Sequence, residues 1–363
     1  MDNNRYFSLN KFFKPQKTRP LLHVNPTDNA LRVDAEKSVI TVFQYDENSV
    51  EEFKLDNIGE CVKYKTTDKN IWINVEGLKR ADVKAICRDF DIHLLIEEDI
   101  LSVGQRPKTD LFEDFVFCLL YMLSYGQDNV LLNKEQISLI LGKNFVLTFQ
   151  EEPNRDAFDK VRLRLKNLHN KQLQQYGCDF LYYALIDAIV DDYFIAMDIF
   201  GEKIEEAEEH IVKAHSKISM SYILFLRKEL LLLRRSIYPA RDAISSINKN
   251  ENELFSSKTL RYLKDIYDHI LQATEMVENY REGMANLQDL HLNQANLKMN
   301  ESMKIMAIVT CLLAPAAVIG GIFGMNFSQI PFLHDHYGFY FSVAVMLLIP
   351  LWMIYVFKKR GWF

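Results

Sequence analysis

Met306–Met325 reads MAIVTCLLAPAAVIGGIFGM, twenty residues without a charge. A helix rises ~1.5 Å per residue and the hydrocarbon layer is about 30 Å thick, so this stretch is long enough to cross a bilayer. Tyr337–Phe357, YGFYFSVAVMLLIPLWMIYVF, adds twenty-one uncharged residues. Pro315 and Pro350 are compatible with two spans, because neighbouring helices satisfy the backbone groups that proline frees. Lys298 and Lys304 precede the first span, and Lys358, Lys359 and Arg360 follow the second. The link between them, Asn326–His336, has neither Lys nor Arg. The positive-inside rule then predicts a multi-pass membrane hairpin, both chain ends in the cytoplasm and the link outside. Tyr337, Tyr340, Trp352 and Trp362 include candidate interfacial anchors.

Outward from this hairpin the composition changes. Of 49 acidic and 43 basic residues, only Glu301 and Asp335 against Lys304, Lys358, Lys359 and Arg360 lie beyond residue 300. The tail is therefore +2 and the body −8. With 48% hydrophobic and 12% aromatic residues, the chain is too apolar for disorder. Its acidic balance excludes a general nucleic-acid binder. The N-terminus, MDNNRYFSLNKFFKPQKTRP, lacks an apolar run of signal-peptide length, so the body is expected in the cytosol. Cysteines 61, 87, 118, 178 and 311 are odd in number and form no CxxC pair, which favours buried reduced thiols over disulfides or a zinc ribbon.

The body reads as an α/β unit followed by helices. Val39–Tyr45, Ile71–Val75 and Phe115–Tyr125 have strand character, and Gln136–Gln150 reads as a hairpin turning at Gly142–Asn144. Ala81–Phe90 reads as a helix, and from Asn154 onward the pattern is helical. Asp198–Val212 is strongly acidic, either a solvated helical face or one that attracts cations.

Two stripes run along the helix that leads into the first span. Leu263, Ile266, Ile270, Ala273, Val277, Tyr280, Met284 and Leu287 are spaced 3-4-3-4-3-4-3, a heptad seam. Its continuation, His291, Gln294 and Lys298, is polar. A second stripe starts on another face: Asp289, Asn293, Asn296, Asn300, Met303, Ala307, Thr310, Ala314, Ala317, Gly321 and Gly324. Small residues on a spanning face mark close helix packing. A row of Asp and Asn running into such a face fits helices of several subunits around a pore. No proline lies between Ala240 and Ala314, so one helix over about 255–323, ~100 Å long, is expected. GxxxxGK[ST], GxGxxG and HExxH are absent, and no nucleophile–base arrangement stands out, so neither an enzyme nor an organic cofactor is expected. His334 and His336 flank Asp335, a triplet that can touch a metal but is usually incidental.

Gly324-Met325-Asn326 closes the first span, ahead of a short link, a final span and a basic end. In that setting the chain resembles the CorA family of magnesium channels. LIEEDILSVGQRPK (Leu95–Lys108), YLKDIYDH (Tyr262–His269), NESMK (Asn300–Lys304) and the ending FKKRGWF are also similar to family segments. The resemblance covers nearly the whole chain from about residue 35, with less of it over about 155–250, and implies a protein of the cytoplasmic (inner) membrane. It implies a funnel-shaped homopentamer: an α+β cytosolic domain, an α/β sandwich followed by long helices, with two C-terminal transmembrane helices, the first lining the pore. The organisation expected is an N-terminal extension (1–34), a cytosolic α/β domain (35–152), a helical segment (153–254), a stalk and pore helix (255–325, with the first span at about 306–325), an outer loop (326–336), the second span (337–357) and a basic C-terminus (358–363).

By the same resemblance Gly324, Met325 and Asn326 form the selectivity filter, and Gly321, Met306, Met303, Asn300 and Asp289 line the pore. Thr310, Ala314 and Ala317 join them from the second stripe. Regulatory Mg²⁺ is implied between cytosolic domains at positions corresponding to Asp82 and Asp265. The divalent cation is thus both cargo and regulator, with Co²⁺ and Ni²⁺ as further candidates. The family's acidic MPEL-like loop is here Gln329-Ile330-Pro331-Phe332-Leu333, without its glutamate, which puts an acidic ring at the mouth in doubt unless Asp335 replaces it. Without the resemblance Asn326 reads first as a helix cap; for Met303 and Met306 ordinary helix packing is the alternative to an apolar gate. Two alternatives stay open: a ZntB-type zinc transporter, which usually has GVN where this chain has Met325, and a membrane-anchored coiled-coil scaffold without transport.

Overall fold

A computed structural model describes residues 32–126, 128–152, 158–167, 172–213, 218–249, 252–325, 330–331 and 337–362. Seven strands form one sheet in the order β2-β1-β3-β7-β6-β5-β4. They are β1 (Val39–Tyr45), β2 (Val50–Leu55), β3 (Asn70–Glu76), β4 (Lys108–Leu111), β5 (Phe115–Tyr125), β6 (Leu132–Gly142) and β7 (Phe145–Gln150). Only β3 and β7 pair in parallel; every other neighbour is antiparallel. β1 and β5 have the bounds read from their apolar runs. β6 and β7 form the expected hairpin, with Lys143 and Asn144 between them. β2, β4 and a helix over Leu94–Leu101 were not expected.

The central strands are apolar on both faces because both faces are covered. Helices α1 (Arg80–Asp89) and α2 (Leu94–Leu101) bury Val83, Ile86, Ile96 and Ile100 against Ile73, Phe117, Ile140 and Leu147. On the other face Trp72 packs edge-on against Phe158, ahead of α3 (Asp159–Lys166). Tyr45 reaches Cys178 at the start of α4 (Cys178–Val212). A buried polar chain crosses the parallel pair: Thr148 Oγ1 and Gln150 Nε2 donate to Asn74 Oδ1 (2.6 and 2.8 Å), and Asn74 Nδ2 donates to Glu76. Arg162 of α3 closes it on Glu76 at 2.7 Å. A buried network of this kind favours one strand register, because each member left unpaired by a slip costs ~1–3 kcal/mol.

Three long helices follow: α4, α5 (Met220–Lys249) and α6 (Ser257–Phe323). Lys203 of α4 and Glu229 of α5 make a buried ion pair (2.9 Å), and Glu229 also accepts from the Leu132 amide at 2.9 Å. The pair thereby ties both helices to the start of β6. Along α6 the heptad seam is covered: seven of its eight residues are buried, and Tyr280 is half-buried. Tyr280 donates its phenol to the Met197 carbonyl (2.9 Å) and lies so close to Gly201 that a Cβ there would sit 2.9 Å from its oxygen. Gly201 is thus the residue that admits the ring.

The chain divides into two compact units. The first comprises residues up to Ala207 together with Ser219–Ala285; the second comprises Glu208–Ile218 and Asn286 onward. The second unit contains the rest of α6 and α7 (Gly338–Lys359). α6 is one helix of 67 residues, about 100 Å at ~1.5 Å each, as its pattern predicts. Cys61, Cys87, Cys118 and Cys178 are free and buried as expected, but Cys311 is exposed because it lies on a span with little of its own chain around it.

Candidate ion pathway

α6 and α7 are long and apolar enough to cross a membrane, and almost none of either apolar segment is buried within the chain. What contact they make is one-sided. Ile308 is buried, and Leu312, Pro315, Ile319 and Phe323 are half-buried, recurring every three or four residues. On α7 the half-buried residues Ser342, Val345, Met346, Pro350, Met353 and Val356 recur likewise. A Cβ at Gly320 would meet Met346 at 3.9 Å. One face of α6 therefore packs on α7.

The second stripe is on the other side. At ~100° per residue, Met303, Thr310, Ala314, Ala317 and Gly321 centre about 180° from the face covered by α7. All five are exposed in the single chain, as are Asp289, Asn300 and Met306. A Cβ at Gly321 would meet nothing within 4 Å. The chain's own packing thus gives no reason for small residues on this face. Thr310 donates its hydroxyl back to the Met306 carbonyl (2.9 Å), leaving its oxygen lone pairs available.

The helix closes at its C-terminus through Gly324 N donating to Gly320 O (3.0 Å) and Met325 N to Ile322 O (3.3 Å). The remaining end carbonyls carry the negative pole of the helix dipole, a favourable place for a cation. Gly324 and Met325 are exposed there. Asn326 lies outside the described residues, as do Gln329, Phe332 and Leu333 of the loop and the triplet His334, Asp335 and His336.

The two aspartates implied as regulatory have different surroundings. Asp82 is half-buried in the first turn of α1, with the Ser38 hydroxyl 2.9 Å from its carboxylate. Asp265 is exposed on α6, with His269 Nε2 4.0 Å away one turn on. Near Asp265 the structure adds acidic groups that sequence reading did not single out. Tyr183 of α4 is pushed up chiefly by burial, then by Asp187, and also feels Asp265. Asp187 itself is raised by burial and then by Asp191, while Arg164 and His269 oppose the shift. The signal was present as IDAIVDDY (Ile186–Tyr193), but only the packing of α4 on α6 brings it to Asp265. Among the described residues, no three His, Cys, Asp or Glu side chains of one chain converge as a metal cage. One chain can supply only part of a six-oxygen magnesium shell.

The family profile for CorA-like Mg²⁺ transporter proteins matches residues 67–359. The cobalt/magnesium transport protein CorA of Thermotoga maritima is 37% identical over 325 residues, covering 89% of this chain and 92% of that protein. The complete structure of the CorA magnesium transporter from Methanocaldococcus jannaschii superposes with a TM-score of 0.73 at 25% identity, covering 90% of this chain and 98% of that one. The cytoplasmic domain of ZntB from Vibrio parahaemolyticus shares the fold alone, with a TM-score of 0.55 at 16% identity over 71% of this chain and 98% of that one. With most of its length inside the profile, this chain belongs to the CorA-like Mg²⁺ transporter family, whose members are ion transporters and not enzymes.

Proposed function

We propose that this chain forms a homopentameric Mg²⁺ channel of the inner membrane, with both chain ends in the cytoplasm, α6 lining the pore and α7 facing lipid. The observation that carries the reading is the placement of the small-residue stripe opposite the face of α6 that α7 covers. A ring of such helices with α7 outermost turns Gly321, Ala317, Ala314 and Thr310 inward. Five copies follow the family.

Mg²⁺ dehydrates reluctantly and prefers octahedral oxygen geometry. A filter that admits the hydrated ion needs neutral oxygens rather than a tight carboxylate cage. Five Asn326 amides and Gly324 carbonyls provide one at the outer mouth, with Met325 beside them. The five helix C-termini add negative potential there without the missing loop glutamate. Rings of neutral oxygen discriminate weakly among hydrated divalents, so Co²⁺ and Ni²⁺ are expected to pass as well. Met303 and Met306 narrow the path to an apolar constriction that gates by dewetting. Asn300 and Asp289 draw the ion out on the cytosolic side. ZntB-type zinc transport is disfavoured by Met325.

For gating, Mg²⁺ bridges Asp265 of one subunit to Asp82 of the next, with Asp187 and Asp191 adding to the local negative charge. Bound ion offsets repulsion between acidic domains and holds the closed state. Its loss at low internal Mg²⁺ releases them, a population shift set by differential binding. Asp265→Ala is expected to abolish inhibition of the current by internal Mg²⁺ and Asp82→Ala to weaken it severalfold; unchanged Mg²⁺ dependence in both removes this role.

Mg²⁺ uptake by liposomes holding the purified protein tests the filter. Wild type is expected to conduct and Asn326→Ala to lose selective Mg²⁺ flux. Equal flux in both removes the filter assignment, and no flux in either returns the chain to a scaffold.

A further inference from the structure

A cavity of about 600 Å³ opens in the first unit between β6, the segment Gly104–Pro107 and α5. Its volume falls in the range of small-molecule sites. Four cations line it, Arg106, Lys134, Arg234 and Arg235, and no carboxylate does. Leu231 and Leu232 contribute an apolar wall.

Arg106 and Arg234 have partners on the protein surface. Arg106 reaches Asp242 at 3.1 Å, a carboxylate it shares with Arg241 at 2.8 Å. Arg234 stacks over Tyr238 with its guanidinium 5.4 Å from the ring centre. Lys134 is different. It is half-buried, its ammonium lies 3.7 Å from the centre of the Tyr121 ring, and among the described residues it has no ion pair. Burial lowers it to about 8; Glu151 opposes the shift and Arg235 adds to it. Glu151 is itself paired with Arg32 at 2.5 Å.

At neutral pH Lys134 is therefore charged, partly desolvated and beside more positive charge. Burying an ammonium whose opposing carboxylate, Glu151, is already paired with Arg32 is unfavourable, and a methionine would fill the same space without that cost. A convergent group of cations around a cavity is a site of high positive potential. Guanidinium forks match phosphate oxygens in pairs, and an ammonium acts as a point charge between them. The apolar wall suits an organic group rather than a bare inorganic ion.

We propose that this cavity binds a phosphorylated organic anion of the nucleoside polyphosphate class, with Lys134, Arg234 and Arg235 on the phosphates and Leu231 and Leu232 against the organic part. None of the lining residues belongs to the ion pathway or to the acidic group around Asp265.

The test is titration calorimetry on the full-length protein in detergent, stripped of divalent ions with a chelator so that metal capture by the ligand contributes nothing. ATP and inorganic tripolyphosphate are the probes, against wild type, Lys134→Met and Arg234→Gln. ATP is expected to bind wild type, to bind each variant about tenfold or more weakly, and to bind more tightly than tripolyphosphate. Absence of ATP binding up to about 10 mM overturns the site, since that is weaker than ~3 kcal/mol of binding free energy. Equal ATP affinity in wild type and both variants overturns the residue assignment. Tripolyphosphate binding as tightly as ATP overturns the organic component. Arg106→Gln, at an exposed side chain, replaces any variant that does not fold and is held to the same outcomes.

Discussion

The two stripes of α6 share one spacing and differ in what covers them. Leu263–Leu287 repeats at 3-4 intervals with large apolar residues, and its own chain buries them. Asp289–Gly324 repeats at the same intervals with Asp, Asn, Met and small residues, and its own chain leaves the sampled positions exposed. Periodicity identifies a helical face; chemistry says what faces it. A seam of Leu, Ile and Val is satisfied by other hydrocarbon. A row of amides that runs into a hydroxyl and small residues inside a membrane is satisfied by water, ions or other copies of the chain.

The comparison breaks first at the seam. Ile270 is fully buried, so Ile270→Ala is expected to cost ~2–5 kcal/mol through lost burial and the cavity left behind. Asn293→Ala, on the exposed stripe, is expected to change stability by no more than about 0.5 kcal/mol. Thermal unfolding of the purified protein measures both, and similar losses at the two sites would erase the distinction between the faces.

A smaller effect separates the regions by pH. Glu135 of β6 is buried, and burial pushes its carboxyl from 4.5 up to about 7, against the opposing hydrogen bond from the Glu152 amide. A carboxyl raised on folding favours the folded state in its protonated form. That contribution is full below about pH 4.5 and lost as pH rises through about 7. Glu135→Gln is expected to gain ~1–2 kcal/mol over wild type at pH 8 and nothing near pH 4. Melting curves across that range check it, and a pH-independent difference would show that Glu135 is not the titrating group.

Much of the fold was legible because single faces or whole strands were apolar. β1, β5 and the limits of α6 follow directly from runs and periods. β2 escaped because VEEFKL is an edge strand with Glu51, Glu52 and Lys54 in its short span. β4 has only four residues, all half-buried, and LLIEEDIL of α2 has no decisive period. The stripe on α6 was legible as a pattern, whereas its placement opposite α7 needed the packing of the hairpin. The filter role of Asn326 came from resemblance, since Gly-Met-Asn after a helix is also a cap. The acidic neighbours of Asp265 and the cations around Lys134 were not legible, because each set joins residues that lie far apart along the chain.

The central claim is that the face of α6 away from α7 lines a water-filled ion path. In a Cys311→Ala background the remaining cysteines are buried, so an introduced thiol can be read alone. Mg²⁺ flux into liposomes is measured before and after a charged, water-soluble thiol reagent on Ala317→Cys and, separately, on Ile319→Cys. Block of Ala317→Cys with Ile319→Cys left conducting is the predicted result. Block of Ile319→Cys with Ala317→Cys unaffected would place the path on the other face and contradict the account.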